Sequence, residues 1–375
     1  MAGEPGGGTV RFARRDPRER LAEDRSMRTT PPEITTGVEE RIRRFFAVRA
    51  EDAQRRNAGH ALLWRRIADA ADGGKRLRSR LVLLAHDHLG GGDRRSAETA
   101  GAAFELLHTA LLLHDDVLDG DLIRRGRPNL AGLFTSDAID AGRPLEDATA
   151  WGTASAMLAG DLLISGAHAL VSELPGTIAV EMHRTIDDAL FDAVAGEHAD
   201  VGAARGMTSP SSADIILTMA QKTATYSCAA PLRAGAIIAG AGSDAVAALQ
   251  RIGSELGVLY QLRDDVLGVF GAESRTGKSI TGDLREGKRT LLIAYAEQTP
   301  EWHEVRHLFG RVPLDETDAA RLRDALIASG AADRMQAAVT EGLDRTRREI
   351  DLAPVPVALQ DALSDIATMC AERQS

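Results

Sequence analysis

The segment from His114 to Leu130, HDDVLDGDLIRRGRPNL, gathers its acids in the first half and its arginines in the second. Charges that only solvate a helix are usually interleaved at three- or four-residue spacing, because opposite signs there attract and like signs repel. Segregated signs point to ligands. Asp115 and Asp119 are four residues apart, so a helix projects both carboxylates from one face, one turn apart. Carboxylates held side by side repel unless a hard cation bridges them, and Mg²⁺ takes oxygen ligands at sites it shares with substrate phosphates. A second acidic pair, Asp264 and Asp265, stands in YQLRDDVLGVFG. On facing helices the two pairs would frame a multi-metal, phosphate-binding cleft. An isolated DDxxD is at least as often a helix-surface feature, so the accompanying bases decide.

Those bases come in four groups: Lys75, Arg76 and Arg78 in GGKRLR; Arg124, Arg125 and Arg127 in RRGR; Lys222 in QKTATY; and Lys278 with Lys288 in TGKSITGDLREGKRT. Lys75 and Arg78 are three apart after paired glycines, a spacing that can aim both at one anion where a helix begins. This implies a second phosphate site. Arg124 and Arg125 follow the acids closely enough to hold a diphosphate whose other oxygens ligate the cations.

The elements that must position these groups are helical. From about Val38 onward apolar residues recur at three- and four-residue spacing, as in ALLWRRIADAA and AGAAFELLHTALLLHDDVLD, which predicts an all-α array of ten or more helices. Alternating strand patterns and Asn-Gly hairpin signals are absent. Breaks fall at DGGKR, LGGGDRR, RRGRPN, DAGRPLED, SELPG, GMTSPSS, GAGSD and EQTPEW, none resembling an interdomain linker. Residues 38–375 therefore read as one domain, and residues 1–37, rich in Gly, Arg and Pro without a signal-peptide pattern, as a flexible arm.

A chain of 375 residues with 44% hydrophobic residues can bury a substantial core. A net charge of -10 disfavours nucleic acid as a partner. Cys228 and Cys370 lie far apart without a CxxC or a Cys/His cluster, which suggests neither a disulfide framework nor structural zinc and fits a reducing cytoplasm. No uninterrupted apolar run approaches the roughly 20 residues of a membrane-spanning helix, so stable membrane insertion is not expected.

The motifs GGKRLR, ELLHTALLLHDDVLD, RRGRP, LAGDLL, GEHAD, KTATY, YQLRDD and TGKSITGDLREGKRTLL, in this order, resemble those of the trans-isoprenyl diphosphate synthases, the polyprenyl synthetase family, over roughly Val38 to the C-terminus. The likeness is greatest to bacterial geranylgeranyl diphosphate synthases. It implies an isoprenoid synthase-type helical bundle around a central cavity and a homodimer. It also implies three Mg²⁺ ions that act with the substrate diphosphate, and condensation of isopentenyl diphosphate with an allylic diphosphate.

By the same resemblance, Asp115 and Asp119 ligate Mg²⁺ on the allylic diphosphate with Asp116 in support, and Arg124 contacts that diphosphate. Lys75, Arg78, His108 and Arg125 bind isopentenyl diphosphate; His108 lies seven residues before Asp115, on the same helical face. Lys222, Thr223 and Gln261 surround the reacting centre, with Lys222 and Lys278 drawing on the leaving diphosphate. Asp264 ligates the third Mg²⁺, Asp200 orients Lys222, and Asp265, Asp283 and Lys288 assist. The implied chemistry is ionisation to an allylic cation, attack by the isopentenyl double bond, and proton loss to the released diphosphate, in a site that excludes water.

Two positions depart from the family pattern. Gly268 stands where the second motif usually has its third carboxylate, so metal binding there could weaken or draw on Asp283. Ser79 stands where proline often follows GGKRLR, with an expected loss of rigidity and no obvious chemical effect. Ala110 and Leu111, the fifth and fourth residues before Asp115, are not large aromatics, which predicts a chain-length floor open to a C20 product. Two other readings compete. A class I terpene cyclase would lack use for Lys75, Arg78 and His108, and a regulatory subunit of a heteromeric synthase should show decay in HDDVLD, which is intact.

Overall fold

The computed structural model describes residues 35–124, 126–271 and 282–373. Arg125, Lys278 and residues 1–34 of the expected arm lie outside that set. The first helix, α1 (Thr36–Arg56), begins at Thr36, two residues inside the expected arm. It is followed by α2 (Ala58–Ala71), α3 (Leu77–His88) and the long α4 (Arg94–Asp119), which ends in the first acidic motif. Asp93 starts α4 by accepting the backbone N–H of Ser96, and Gly120, left-handed at φ 71°, stops it. Next come α5 (Leu130–Asp140), α6 (Leu145–Val171), α7 (Gly176–Ala204), α8 (Ser212–Met219), a π-helical segment (Ala220–Ala229), α9 (Ala230–Ile238) and α10 (Ser243–Phe270). The remainder comprises α11 (Gly282–Glu286), α12 (Leu291–Ala296), α13 (Pro300–Val305), α14 (Glu316–Ala328), α15 (Ala331–Leu352) and α16 (Val357–Glu372).

The expected breaks all fall between these helices. The expectation of no hairpin needs one correction: after α4, a pair of two-residue strands, β1 (Ile123–Arg124) and β2 (Arg127–Pro128), pairs antiparallel around Gly126 at φ 72°. So short a ribbon leaves no period-2 pattern to read in the sequence.

The apolar faces assemble two clusters. One is built on α1, α2, α4, α5, α6 and α7, with Phe104, Leu106, Leu163 and Ile186 fully buried. The other joins α3 and α8 through α16, with Leu232, Leu249 and Ile252 at its centre. The π-helical segment belongs to both, through Tyr226 on one side and Ala224 and Cys228 on the other.

By length and composition α6, among the described residues, is apolar enough to cross a membrane. Half of that apolar window is buried in the bundle, where α6 packs against α4 and α5. A core helix enclosed by neighbours meets the same apolar requirement.

Candidate active site

A cleft of about 2840 Å³ opens along the line where the two clusters meet. It is lined from the α2–α3 turn, the C-terminal half of α4, α7, the π-helical segment, α10, α11 and α16. At its mouth the last turns of α4 present Asp115 and Asp119, while Asp116 turns inward and is only 3% exposed. The hairpin carries Arg124 back over the helix end, where its Nε donates to Asp116 at 2.7 Å and its Nη2 to Asp115 at 3.1 Å. Burial pushes Asp116 up to about 6 against the pull of Arg124. Burial likewise raises Asp119, helped by the charge on Asp115. Asp115 moves the other way: its desolvation is outweighed by Lys222, Lys288 and Arg124, which hold it below the usual carboxylate range.

Lys222 supplies the opposing charge. Its Nζ lies 2.6 Å from Asp200, 3.0 Å from Glu197 and 3.5 Å from Asp115. Burial disfavours the ammonium, yet Asp200, Asp115 and Glu197 together raise its pKa above that of a free lysine. The local backbone explains the placement. From Ala220 to Ala229 the helix widens to i→i−5 bonding, and the Thr225 hydroxyl also donates to the carbonyl of Ala220 at 3.0 Å. Glycines make room for it. A Cβ on Gly196 would lie 2.3 Å from the Lys222 backbone nitrogen, and one on Gly257 would lie 2.3 Å from the Ala224 Cα. The wide turn thus sits close to both α7 and α10.

From α10, Gln261 joins the two halves of the site. It accepts from the Thr223 hydroxyl at 3.2 Å and donates to Asp265 at 2.7 Å. Asp265 is 4% exposed, and burial followed by repulsion from Asp283 pushes its carboxyl up to about 8. Asp264 faces the cleft, with Arg373 of the chain end 3.3 Å away. The missing carboxylate at Gly268 has a spatial counterpart: a Cβ there would come within 2.3 Å of the Asp283 Oδ2. Asp283 from α11 thus fills the space that a larger side chain at 268 would enter. Lys288 stands among these acids, raised well above an ordinary lysine by Asp283 and then, against burial, by Asp200, Asp115 and Asp265. Its field reaches both acidic rows.

A second basic group lies about one turn further along the π-helical segment, in the same cleft. Arg78 donates to the Ser227 hydroxyl at 2.7 Å, and its guanidinium rests 5.1 Å above the Tyr226 ring. Tyr226 stacks on His108 with 6.0 Å between centroids, its hydroxyl 3.4 Å from Nδ1. Lys75 lines the same end of the cleft from the glycine turn. Leu111 also lines the cleft, but Ala110 is fully buried in the first cluster and is not among the lining residues.

The structure thus brings the described members of the expected set around one cavity, with Ala110 behind its wall. Sequence reading missed Glu197, Tyr226, Ser227 and Arg373. Glu197 lies three residues before Asp200 in GEHAD, a spacing that shares a helical face and could have revealed it. Arg373 belongs to no motif, and only the docking of α16 places it here.

Among the described residues no three His, Cys, Asp or Glu side chains stand close enough to cage a metal unaided. Mg²⁺ needs no such cage, since it keeps water and takes one or two carboxylates together with substrate phosphates. The one-face pair Asp115 and Asp119, with Asp264 and Asp283 in the same cleft, fits that mode.

The polyprenyl synthetase family model matches residues 63–326. The chain is 31% identical over 288 residues to a geranylfarnesyl diphosphate synthase of Aeropyrum pernix, an alignment covering 75% of this chain and 84% of the relative. It is 34% identical over 225 residues to a geranylgeranyl diphosphate synthase of Saccharolobus solfataricus, covering 59% of this chain and 62% of that relative. Among solved structures it is similar to a geranylgeranyl pyrophosphate synthase of Corynebacterium glutamicum, complexed with isoprenyl diphosphate and magnesium. That likeness has a TM-score of 0.84 and 26% identity, covering 91% of this chain and 99% of that one. With the groups around Lys75, Asp115, Lys222 and Asp264 gathered on one cleft and the family model matching most of its length, the chain belongs to the polyprenyl synthetase family.

Proposed function

We propose that this prenyltransferase joins isopentenyl diphosphate head to tail (1'-4) with allylic diphosphates, giving a trans-prenyl diphosphate with geranylgeranyl diphosphate (C20) as main product. One observation carries the reading. Along the π-helical segment Lys222 meets Asp200, Glu197 and Asp115, and about one turn further on Tyr226 and Ser227 meet Arg78, so an acid-paired cation and a second cation line the same cleft. Two diphosphates held at neighbouring turns of one short segment is the arrangement that a condensation needs.

Asp115, Asp119 and Asp264 hold three Mg²⁺ ions with the allylic diphosphate, while Asp116 and Asp283 support them. When bound, magnesium neutralises the charge that grows on the departing diphosphate. Arg124, Lys222, Lys278 and Lys288 bind the same diphosphate from the protein side, and Lys222 is oriented by Asp200 and Glu197. Lys75, Arg78, His108 and Arg125 hold isopentenyl diphosphate so that its double bond meets the allylic carbon. Thr223 and Gln261, tethered to Asp265, place their dipoles beside the reacting centre. No side-chain nucleophile is required, and the released diphosphate takes the proton. Leu111 lines the apolar wall that excludes water and bears on product length.

Residues 38–375 act as one catalytic domain. The molecule works as a homodimer in the cytoplasm, in keeping with the free cysteines Cys228 and Cys370. A second copy is the proposed cover for the exposed apolar residues Trp151 and Leu158 of α6 and Phe191 and Val194 of α7.

The test is to incubate purified protein and Mg²⁺ with labelled isopentenyl diphosphate and, separately, C5, C10 and C15 allylic diphosphates. A product ladder ending at C20 is expected. Termination at C10 or C15 with isopentenyl diphosphate in excess would overturn the chain-length reading, and no condensation with any starter would overturn the synthase reading.

A further inference from the structure

Arg76 stands between Lys75 and Arg78 in the sequence and also borders the cleft, yet its guanidinium is taken up by Glu39 and the carbonyl of Ala71. Among the described residues it is the one non-glycine with a left-handed backbone, at φ 50° and ψ 42°. A β-carbon in that conformation crowds the following carbonyl, so such a residue persists only where its surroundings fix it. Gly73 at φ 78° and Gly74 at φ 90° precede it, so three of the four residues from Gly73 to Arg76 run left-handed. A glycine at 76 would adopt the turn without strain. What an arginine adds is its side chain.

That side chain is only 8% exposed. Its Nε and Nη2 donate to the two oxygens of Glu39 on α1 at 2.6 and 3.2 Å, and Nη1 donates to the carbonyl of Ala71 at 3.0 Å. Nη1 also lies 3.8 Å from Glu105 of α4, which is 5% exposed and accepts the Ser79 N–H at 3.0 Å. The Ser79 hydroxyl closes the circuit by donating to the carbonyl of Arg76 at 3.0 Å. The network ties α1, the end of α2, the first turn of α3 and the middle of α4 to a single turn. The residues flanking its anchor, Lys75 and Arg78, both line the cleft. Ser79 thus supplies rigidity through two hydrogen bonds, and a proline there would lack the N–H that Glu105 accepts.

We propose that Arg76 is a positioning residue for the second diphosphate. Its buried bridge to Glu39 and Glu105 locks the left-handed turn that sends Lys75 and Arg78 to the same anion. The inference rests on the reading of Lys75 and Arg78 as ligands of isopentenyl diphosphate.

The test uses the full chain carrying Arg76→Met, Arg76→Lys or Glu39→Gln. The Glu39 variant is isosteric at a partly exposed position and guards against a failure of the first two to fold. In Arg76→Met the KM for isopentenyl diphosphate should rise roughly tenfold or more, and in Glu39→Gln about threefold. The allylic KM and the kcat at saturation should stay within about twofold, with Arg76→Lys intermediate. A KM for isopentenyl diphosphate within about twofold of the parent in both Arg76→Met and Glu39→Gln, with only Tm lowered, would overturn the positioning role. Should the parent chain condense nothing, the synthase reading fails, and calorimetric titration of inorganic diphosphate in the presence of EDTA decides the proposal alone. Weaker binding in the variants sustains it and unchanged binding overturns it.

Discussion

Lys222 is the side chain on which the charges of the cleft balance. Its ammonium serves Asp200, Glu197 and Asp115 together, so removing it leaves carboxylates facing one another and takes a cation from the proposed leaving-group site. We expect Lys222→Ala to lower single-turnover condensation by about 10²–10³-fold, the range for losing one preorganised electrostatic partner. Gly268 makes a less intuitive case at the same scale. By family pattern a carboxylate is missing there, which invites Gly268→Asp as a repair. The Asp283 Oδ2 would lie 2.3 Å from a Cβ at that position, so any side chain must displace it. Gly268→Ala asks only for a swing of the half-buried Asp283 carboxylate and gains helix propensity, so it should change denaturant unfolding by less than about 1 kcal/mol. Gly268→Asp should bind diphosphate with Mg²⁺ no better than the parent in calorimetry.

Elements explain why those residues arrive where they do. The end of α4 that carries the first acidic motif depends on a helix whose start is fixed 22 residues before Asp115 by Asp93, which accepts the Ser96 N–H at 3.1 Å and hydroxyl at 2.5 Å. Asp93→Ala should lower stability by about 1 kcal/mol near pH 7, read from denaturant unfolding. The pH dependence has a definite sign. The Ser96 hydroxyl and N–H hold the Asp93 carboxyl below its ordinary 3.8, so the ionised cap contributes above that value and is lost as pH falls through the lower folded value. The difference between variant and parent should therefore shrink in strong acid. The π-helical segment plays a comparable role at the other wall. QKTATYSCA reads in the sequence as an ordinary helix, because its apolar spacing cannot distinguish i→i−4 from i→i−5 bonding. The close approach of Gly196 and Gly257 accommodates the wider form, which brings Lys222 and, one turn on, Tyr226 into the cleft.

At the scale of the whole molecule, the exposed apolar residues of α6 and α7 bear on assembly. Trp151 is 54% exposed and Phe191 79%. If a second copy covers them, Trp151→Arg and Phe191→Arg together should convert a dimer to a monomer in sedimentation velocity, because two desolvated charges would enter the interface. A parent chain that sediments as a monomer at micromolar concentration would refute the homodimer. The same helices show how composition can mislead: α6 is apolar enough for a membrane, and its burial against α4 and α5 gives that composition a different cause.

The helical class, the breaks and most of the site were legible in the chain because the signals are local. A 3.6-residue apolar period writes itself into any amphipathic helix, and DDxxD, GGKRLR and KTATY each place their charges within a turn or two. What only the tertiary structure decided was contact between residues far apart in sequence. Asp283 filling the space beside Gly268, Arg373 reaching Asp264 and Arg76 bridging Glu39 to Glu105 join different helices. Ala110 belongs with these: its place before the acidic motif was readable, but its burial behind the cleft wall depends on how α4 packs. Local spacing fixes which face of a helix a side chain occupies, whereas its partner across the bundle is set by the packing of both cores at once, and no single segment encodes that.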